Sequence, residues 1–364
     1  MSEPLSWLAL LLLLLLAWQL LIGAWARRLR RVRYGEQVYF ARTADDWRLA
    51  LHYYHPGQRR WREPLLLCHG LGANRYNFDL SDETSLARYL AQRGFSVYSL
   101  ELRGAGLSRP AGPEATPFAA TCFDDYLERD LAAALARLRE IEPGNDFFWL
   151  GHSMGGLLGL AWAGRGLEPR PRGVVAVGSP VDFAAAAQAR GLPALLRLAG
   201  LMRQVPLRPL ARQLLPLVGA PPFLSRLVTC RGQMGRQALR LSMVNLSENM
   251  AGALARQLLD WHRQGGFRSR DGQRDYFAGL EAVGQSLLVV GAEADRLAPP
   301  GSVTPAYQRA GSGDKQIRIL GRDHGDEHDY GHGDLLLGRH APEEIYPLLG
   351  EWLEQRATPL ETEG

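Results

Sequence analysis

Paired cysteines are missing from this sequence. It has three, Cys68, Cys122 and Cys230, an odd number with no C-x-x-C spacing. That excludes a disulfide framework and a zinc knuckle, and it fits a reducing compartment. Lysine is almost absent: of 42 basic residues only Lys315 is one, the rest being arginine. Such a bias, with abundant Ala, Gly, Leu and Pro, fits a GC-rich bacterial genome. The arginines are scattered except for one run near the N-terminus, so no basic face for nucleic acid is expected. Internal repeats and low-complexity tracts are also missing beyond the first 26 residues. With 46% hydrophobic and 22% charged residues over 364 positions, and a net charge of +4, the composition is that of an ordinary globular protein.

Long apolar runs are missing too, with one exception. Leu5 to Ala26 is nearly unbroken, with Leu10 to Leu16 an uninterrupted run of leucine. At about 1.5 Å per residue such a helix crosses a hydrocarbon core of roughly 30 Å. Trp7 and Trp25 stand near its ends, where interfacial aromatics collect. A secretory signal would place basic residues before the core, and only Glu3 and the terminal amine stand there. Ala24-Trp25-Ala26 does resemble a cleavage site. Arg27, Arg28, Arg30, Arg31 and Arg33 follow directly, and positive flanks stay cytoplasmic. The expectation is a retained single-pass anchor in a bacterial inner membrane with the remaining chain in the cytoplasm; a cleaved signal is the alternative. The domain expectation is residues 1–33 as anchor and basic flank, 34–181 as the first part of a catalytic core, 182–284 as a helical cap and 285–364 as the second part of the core.

After Arg33, strand-like and helix-like segments alternate. Gln37–Arg42 and Arg48–Tyr54 read as a hairpin. Pro64–Cys68, Ser96–Leu100, Phe147–Leu150, Val174–Gly178, Leu287–Val290 and Gln316–Leu320 read as short buried strands. Ser85–Arg93, Asp124–Ile141, Met154–Ala163 and Pro342–Glu354 read as helices. That alternation predicts a mostly parallel three-layer α/β sheet. Between Val181 and about Gly284 the strand signal stops, and helical stretches are broken at Pro193, Pro206, Pro209, Pro216 and Pro221-Pro222. Leu192, Leu195, Leu196, Ala199 and Met202 share one helical face there, which suits either a lipid-facing lid or a cap packed on its own core.

Gly151-His152-Ser153-Met154-Gly155 follows an apolar strand and opens a helix. This is the G-x-S-x-G turn that lifts a serine hydroxyl clear of the chain. Glycines at 151 and 155 remove side chains that would clash, and the following helix turns its positive end toward a developing oxyanion. Ser153 is the candidate nucleophile and the Met154 N–H one oxyanion donor. The loop His69-Gly70-Leu71-Gly72 follows a strand, and Leu71 is the candidate for the second donor. His69 reads as a residue that shapes that loop. Downstream, the strand ending in Gly291-Ala292 runs into Glu293-Ala294-Asp295. Asp295 is the candidate acid, with Glu293 and Asp182 as rivals. His332 is the candidate base, with His324 and His328 competing in the same loop. Those three histidines recur every four residues, but Gly325, Gly331 and Gly333 argue against a helix that would gather them on a metal, and neither metal nor cofactor is expected.

These residues together resemble the α/β-hydrolase lipases and esterases. Cys68-His69-Gly70-Leu71-Gly72 looks like their HG oxyanion motif, and Arg103-Gly104-Ala105-Gly106-Leu107-Ser108 like their R-G-x-G-x-S loop. Gly151 to Gly156 is similar to the elbow of monoacylglycerol lipases. The segment from Gly331 to Gly338 resembles the histidine region of lysosomal acid and gastric lipases, though Gly333 stands where that family has a larger residue. The resemblance implies a serine esterase acting on hydrophobic or lipid-like esters through Ser153, Asp295 and His332. Other readings are an acyltransferase akin to polyester synthases, which use Cys where this chain has Ser153, or a non-catalytic membrane scaffold. Epoxide hydrolase and dehalogenase chemistry would need a carboxylate at that position.

Overall fold

In a computed structural model of the chain, the residues described are 3–144, 146–186, 192–218, 228–230 and 232–360. Pro221-Pro222 therefore lie outside the described residues.

The short apolar runs form one twisted sheet. Its strands are β1 (Gln37–Arg42), β2 (Trp47–Tyr54), β3 (Leu65–Cys68), β4 (Val97–Glu101), β5 (Phe147–His152), β6 (Pro171–Val177), β7 (Ser286–Ala292) and β8 (Lys315–Leu320). Their order across the sheet is β1-β2-β4-β3-β5-β6-β7-β8, with Arg109–Pro110 pairing on β2. The β1–β2 and β2–β4 pairs are antiparallel, and every pair from β4 to β8 is parallel. Strands β3, β4 and β5 are buried at every position. Continuous apolar runs such as Leu65-Leu66-Leu67-Cys68 are what a parallel sheet covered on both faces requires.

The helices covering the sheet include α2 (Leu86–Gln92), α3 (Leu131–Ile141), α4 (Met154–Gly164), α9 (Pro300–Arg309) and α10 (Ala341–Glu354), where α5 to α8 belong to the segment between β6 and β7. Ser85 caps α2 by accepting the Arg88 N–H. Two buried apolar clusters result, one on each side of the sheet, with Trp149 in one and Trp352 in the other. The sequence reads Asp124–Ile141 as one helix, whereas Tyr126–Asp130 is a π-helical turn ahead of α3. Asp130 leaves that turn buried and bonds Arg103 through both the Arg103 backbone N–H (2.8 Å) and Nε (2.7 Å). Helical periodicity carries no trace of such a side-chain contact.

Between β6 and β7 the described residues add no strand to the main sheet. They hold α5 (Leu192–Gly200), α6 (Leu207–Gln213), α7 (Arg236–Asn245) and α8 (Gly252–Gln264). One two-residue pairing, Gln204–Val205 on Met250–Ala251, escaped the sequence reading because it is too short to carry a period. An aromatic group at the base of this segment, Phe123, Phe183, Trp261 and Phe267, ties it to the core.

The N-terminal run forms α1 (Glu3–Leu29), and Leu5–Leu29 is long and apolar enough to cross a membrane. Most of its leucines are exposed, as a lipid-facing helix requires, but its last turns dock on the domain. Ile22 is buried, Gln213 bonds Trp18 and Gln19, and Arg240 lies 4.3 Å from the Trp25 ring centre. Asn245 clamps the helix end: it donates to the Leu29 carbonyl (3.0 Å) and accepts the Arg31 N–H (2.8 Å).

Candidate active site

The site is built at the ends of β3, β5 and β7. Ser153 stands between β5 and α4 at φ 54° and ψ −120°, a conformation that side chains rarely adopt. The surrounding glycines are sterically required. A Cβ on Gly151 would lie 2.2 Å from the Gly155 backbone, and one on Gly155 would lie 2.0 Å from the Cys68 carbonyl oxygen. The Ser153 N–H donates to Val177 O (2.7 Å), which fastens the turn to β6.

Asp295 follows β7, and its side chain is buried against His332. Its Oδ2 accepts from His332 Nδ1 at 2.8 Å, while Oδ1 accepts the N–H groups of Leu297 (2.9 Å) and Ala298 (2.8 Å). Burial alone would push this carboxyl up. The charge and hydrogen bond of His332 and the two backbone donors outweigh that, and the carboxyl is held below its usual range. With Nδ1 committed to Asp295, His332 turns Nε2 toward the cavity it shares with Ser153. No hydrogen bond joins Ser153 Oγ to His332 among the described residues.

The rival residues go elsewhere. Glu293 faces His324 (3.2 Å), His328 faces Glu344 (2.6 Å), and Asp182 accepts the N–H groups of Ala184 and Ala185. The three histidines of the loop thus meet three different carboxylates. His69 accepts the Leu102 N–H at Nε2 (3.1 Å), so its Nδ1–H donates to Gly70 O (2.8 Å). Burial lowers its pKa and keeps it neutral, in a loop-shaping part. The N–H groups of Leu71 and Met154 have no protein acceptor among the described residues, and both residues line the cavity.

Some contributors carried no signal in the sequence. His152, inside the elbow, places Nε2 3.1 Å from the His332 carbonyl and Nδ1 3.1 Å from Asn77 Oδ1. Burial, and then the charge of His332, push its pKa down to about 3. Asp334 holds the histidine loop by accepting the Thr229 hydroxyl (2.5 Å) and the N–H groups of Cys230 (2.5 Å) and Gly331 (2.8 Å). Asn77 ends a short 3-10 turn and Asp334 opens a one-turn helix, and spacing alone says nothing about which groups they hold.

The cavity measures about 520 Å³. Ser153, His332 and Leu71 sit on its core side, and Leu214, Leu239 and Leu246 of the inserted segment form part of an apolar wall opposite. Such a space takes an oily chain beside one polar reacting group.

A model of the alpha/beta hydrolase fold matches residues 63–332, most of the chain and all of the site. The chain belongs to the alpha/beta hydrolase fold family. Curated protein sequences gave no match. Among solved structures, this hydrolase fold is similar to a monoacylglycerol lipase of Paleococcus ferrophilus, at 18% identity and TM-score 0.58, over 85% of this chain and 99% of that one. It is similar to a thermophilic esterase of Thermogutta terrifontis, at 18% identity and TM-score 0.60, over 88% of this chain and all of the other. A membrane phospholipase A described as a bacterial virulence factor aligns over 98% of this chain and 99% of its own, at 17% identity and TM-score 0.55. At these identities the likeness is one of fold, and it agrees with the α/β-hydrolase architecture expected from the motifs.

Proposed function

We propose that the protein is a membrane-anchored serine esterase that hydrolyses hydrophobic or lipid-like carboxylic esters through an acyl-enzyme. The observation that carries this reading is the buried His332–Asp295 pair facing the same apolar cavity as Ser153 on its strained elbow. Ser153 Oγ attacks the ester carbonyl while His332 Nε2 takes its proton. Asp295 holds the tautomer and stabilises the imidazolium. The N–H groups of Leu71 and Met154 receive the oxyanion. His332 then protonates the departing alcohol, and the acyl group stays on Ser153. Water, deprotonated by His332, attacks that ester and releases the acid and the free serine. A hydrogen bond between Ser153 and His332 forms when substrate fills the cavity, as is common for catalytic contacts.

The lipase, esterase and phospholipase named among the similar structures act on esters, which supports the same reaction class here. The apolar wall supports an oily acyl group. The exposed leucines of α1, with five arginines at positions 27 to 33 after them, support an anchor with the catalytic domain on the cytoplasmic side. Incubation with a fluorophosphonate followed by peptide mass spectrometry tests the mechanism. The expected adduct is on the peptide containing Ser153; absence of any adduct on the folded protein refutes the assignment.

A further inference from the structure

A second cleft lies behind the ester cavity, where α1 leaves its apolar run. Its volume is about 130 Å³, roughly four times the share of one liquid water, which is about 30 Å³. Arg30 and Arg31 reach it from the end of α1, Arg75 from the loop after β3, and Arg208 and Arg212 from α6. Only one carboxylate, Glu248, lines it.

The charges do not balance. Arg75 is already satisfied by Glu101 (2.8 Å) and by the Arg33 carbonyl (2.6 Å). Arg208 takes Glu248 at 3.2 Å, and that carboxylate also accepts from Asn74 (2.8 Å) and the Gly106 N–H (3.1 Å). The side chains of Arg30 and Arg212 have no hydrogen bond or ion pair among the described residues, and the Nε of Arg212 is buried without a partner. Burial and the charge of Arg208 lower the pKa of Arg212; Glu248 opposes them and Arg30 adds to them, so positive charge outweighs the one carboxylate there. Arg30 and Arg208 are exposed at the mouth of the cleft and Arg212 is half-buried inside it, so an anion can enter and meet planar forks that match phosphate oxygens.

The position supplies the source of the anion. The cleft sits where the apolar helix ends, at the depth of lipid headgroups if α1 spans a bilayer. We infer that this arginine cleft binds the phosphate of an anionic membrane lipid, held by Arg30, Arg208 and Arg212. The inference rests on the anchor reading for the source of its ligand, and on the cleft alone for its chemistry. Glu248 lies between the two sites: its N–H donates to Gly72 O (2.7 Å), next to Leu71.

The test uses the full chain carrying Ser153→Ala, so that no lipid is turned over, in detergent micelles. Native mass spectrometry reads the retention of added phosphatidylglycerol and phosphatidylcholine. Phosphatidylglycerol is expected to be retained in preference. Arg208→Gln with Arg212→Gln should lower its occupancy about tenfold or more, the scale of a lost charge-assisted contact. Arg139→Gln, which removes the same type of charge from α3, should leave it unchanged. Melting followed by circular dichroism checks that the double variant is folded; if it is not, Arg30→Gln alone, at an exposed position, must show a reduced occupancy. Equal retention by parent and cleft variants overturns the proposal. So does melting raised by inorganic phosphate without retained lipid, which would assign the cleft to a free anion. Release of the chain from membranes by carbonate would refute the anchor while leaving the detergent measurement to judge the cleft.

Discussion

At the scale of single residues, the site depends on what each polar atom is already committed to. Asp295 spends one oxygen on two backbone N–H groups and the other on His332 Nδ1. An amide there would keep the loop contacts at its carbonyl oxygen but would turn an NH₂ toward His332 and favour the wrong tautomer. Asp295→Asn is therefore expected to lower kcat on a soluble ester by about 10³ to 10⁴ while the melting temperature moves little. A variant with near-parental kcat would show that Glu293 or another acid serves His332. That Asp295 and His332 lie near each other could be anticipated from the sequence, because both follow core strands, and the structure puts them in hydrogen-bond contact. The parts played by Asn77 and Asp334 could not: Asn77 accepts the Gly70 N–H and faces the His152 ring, Asp334 accepts the distant Cys230 N–H, and such contacts leave no periodicity.

At the scale of elements, the turn from β5 to α4 carries Ser153. It brings α4 so close to β3 that no side chain fits between Gly155 and Cys68 O. Gly155→Ala must push the helix from the strand, and overpacking against backbone costs about 1–3 kcal/mol or more. Chemical denaturation should show that loss, with activity falling further because Met154 moves with α4. Unchanged stability would mean that the elbow is looser than its contacts imply. The glycine spacing made this element readable. By contrast, α9 and the short pairing of Gln204–Val205 with Met250–Ala251 gave no warning, the first because Pro300 and Pro305 mask its helical pattern, the second because two residues define no alternation. The π-turn at Tyr126–Asp130 was read as plain helix for a similar reason, since its cause is the buried Arg103–Asp130 contact.

At the scale of the whole molecule, the domain, the inserted segment and the N-terminal helix α1 meet around two cavities. The order of the main strands was legible, because buried parallel strands are short and apolar. The docking of α1 on α6 and α7 was not, since Gln213 and Asn245 look like any surface polar residue until the helix lies against them. The site also makes the whole fold sensitive to acid. His152 is neutral when folded, with a pKa near 3, and binds a proton below about pH 6.5 when unfolded. Its contribution is full above pH 6.5 and is lost as the pH falls toward 3. His69 and Asp295, both lowered, act in the same direction. The contribution of these three groups to the unfolding free energy should thus fall on acidification through this window, against that of Asp130, raised to about 6, and His152→Gln should reduce the acid-side loss by up to about 1.4 kcal/mol per pH unit, one proton's worth. A slope unchanged in that variant would mean that His152 is protonated in the folded protein.

The central claim, that Ser153 is the nucleophile, is tested most directly by hydrolysis of a short p-nitrophenyl ester by the full chain and by Ser153→Ala. The parent should turn the ester over, and the folded variant should lose about 10³-fold or more of kcat, keeping only what the oxyanion donors and binding supply. A folded Ser153→Ala protein that hydrolyses the ester at the parental rate would contradict it.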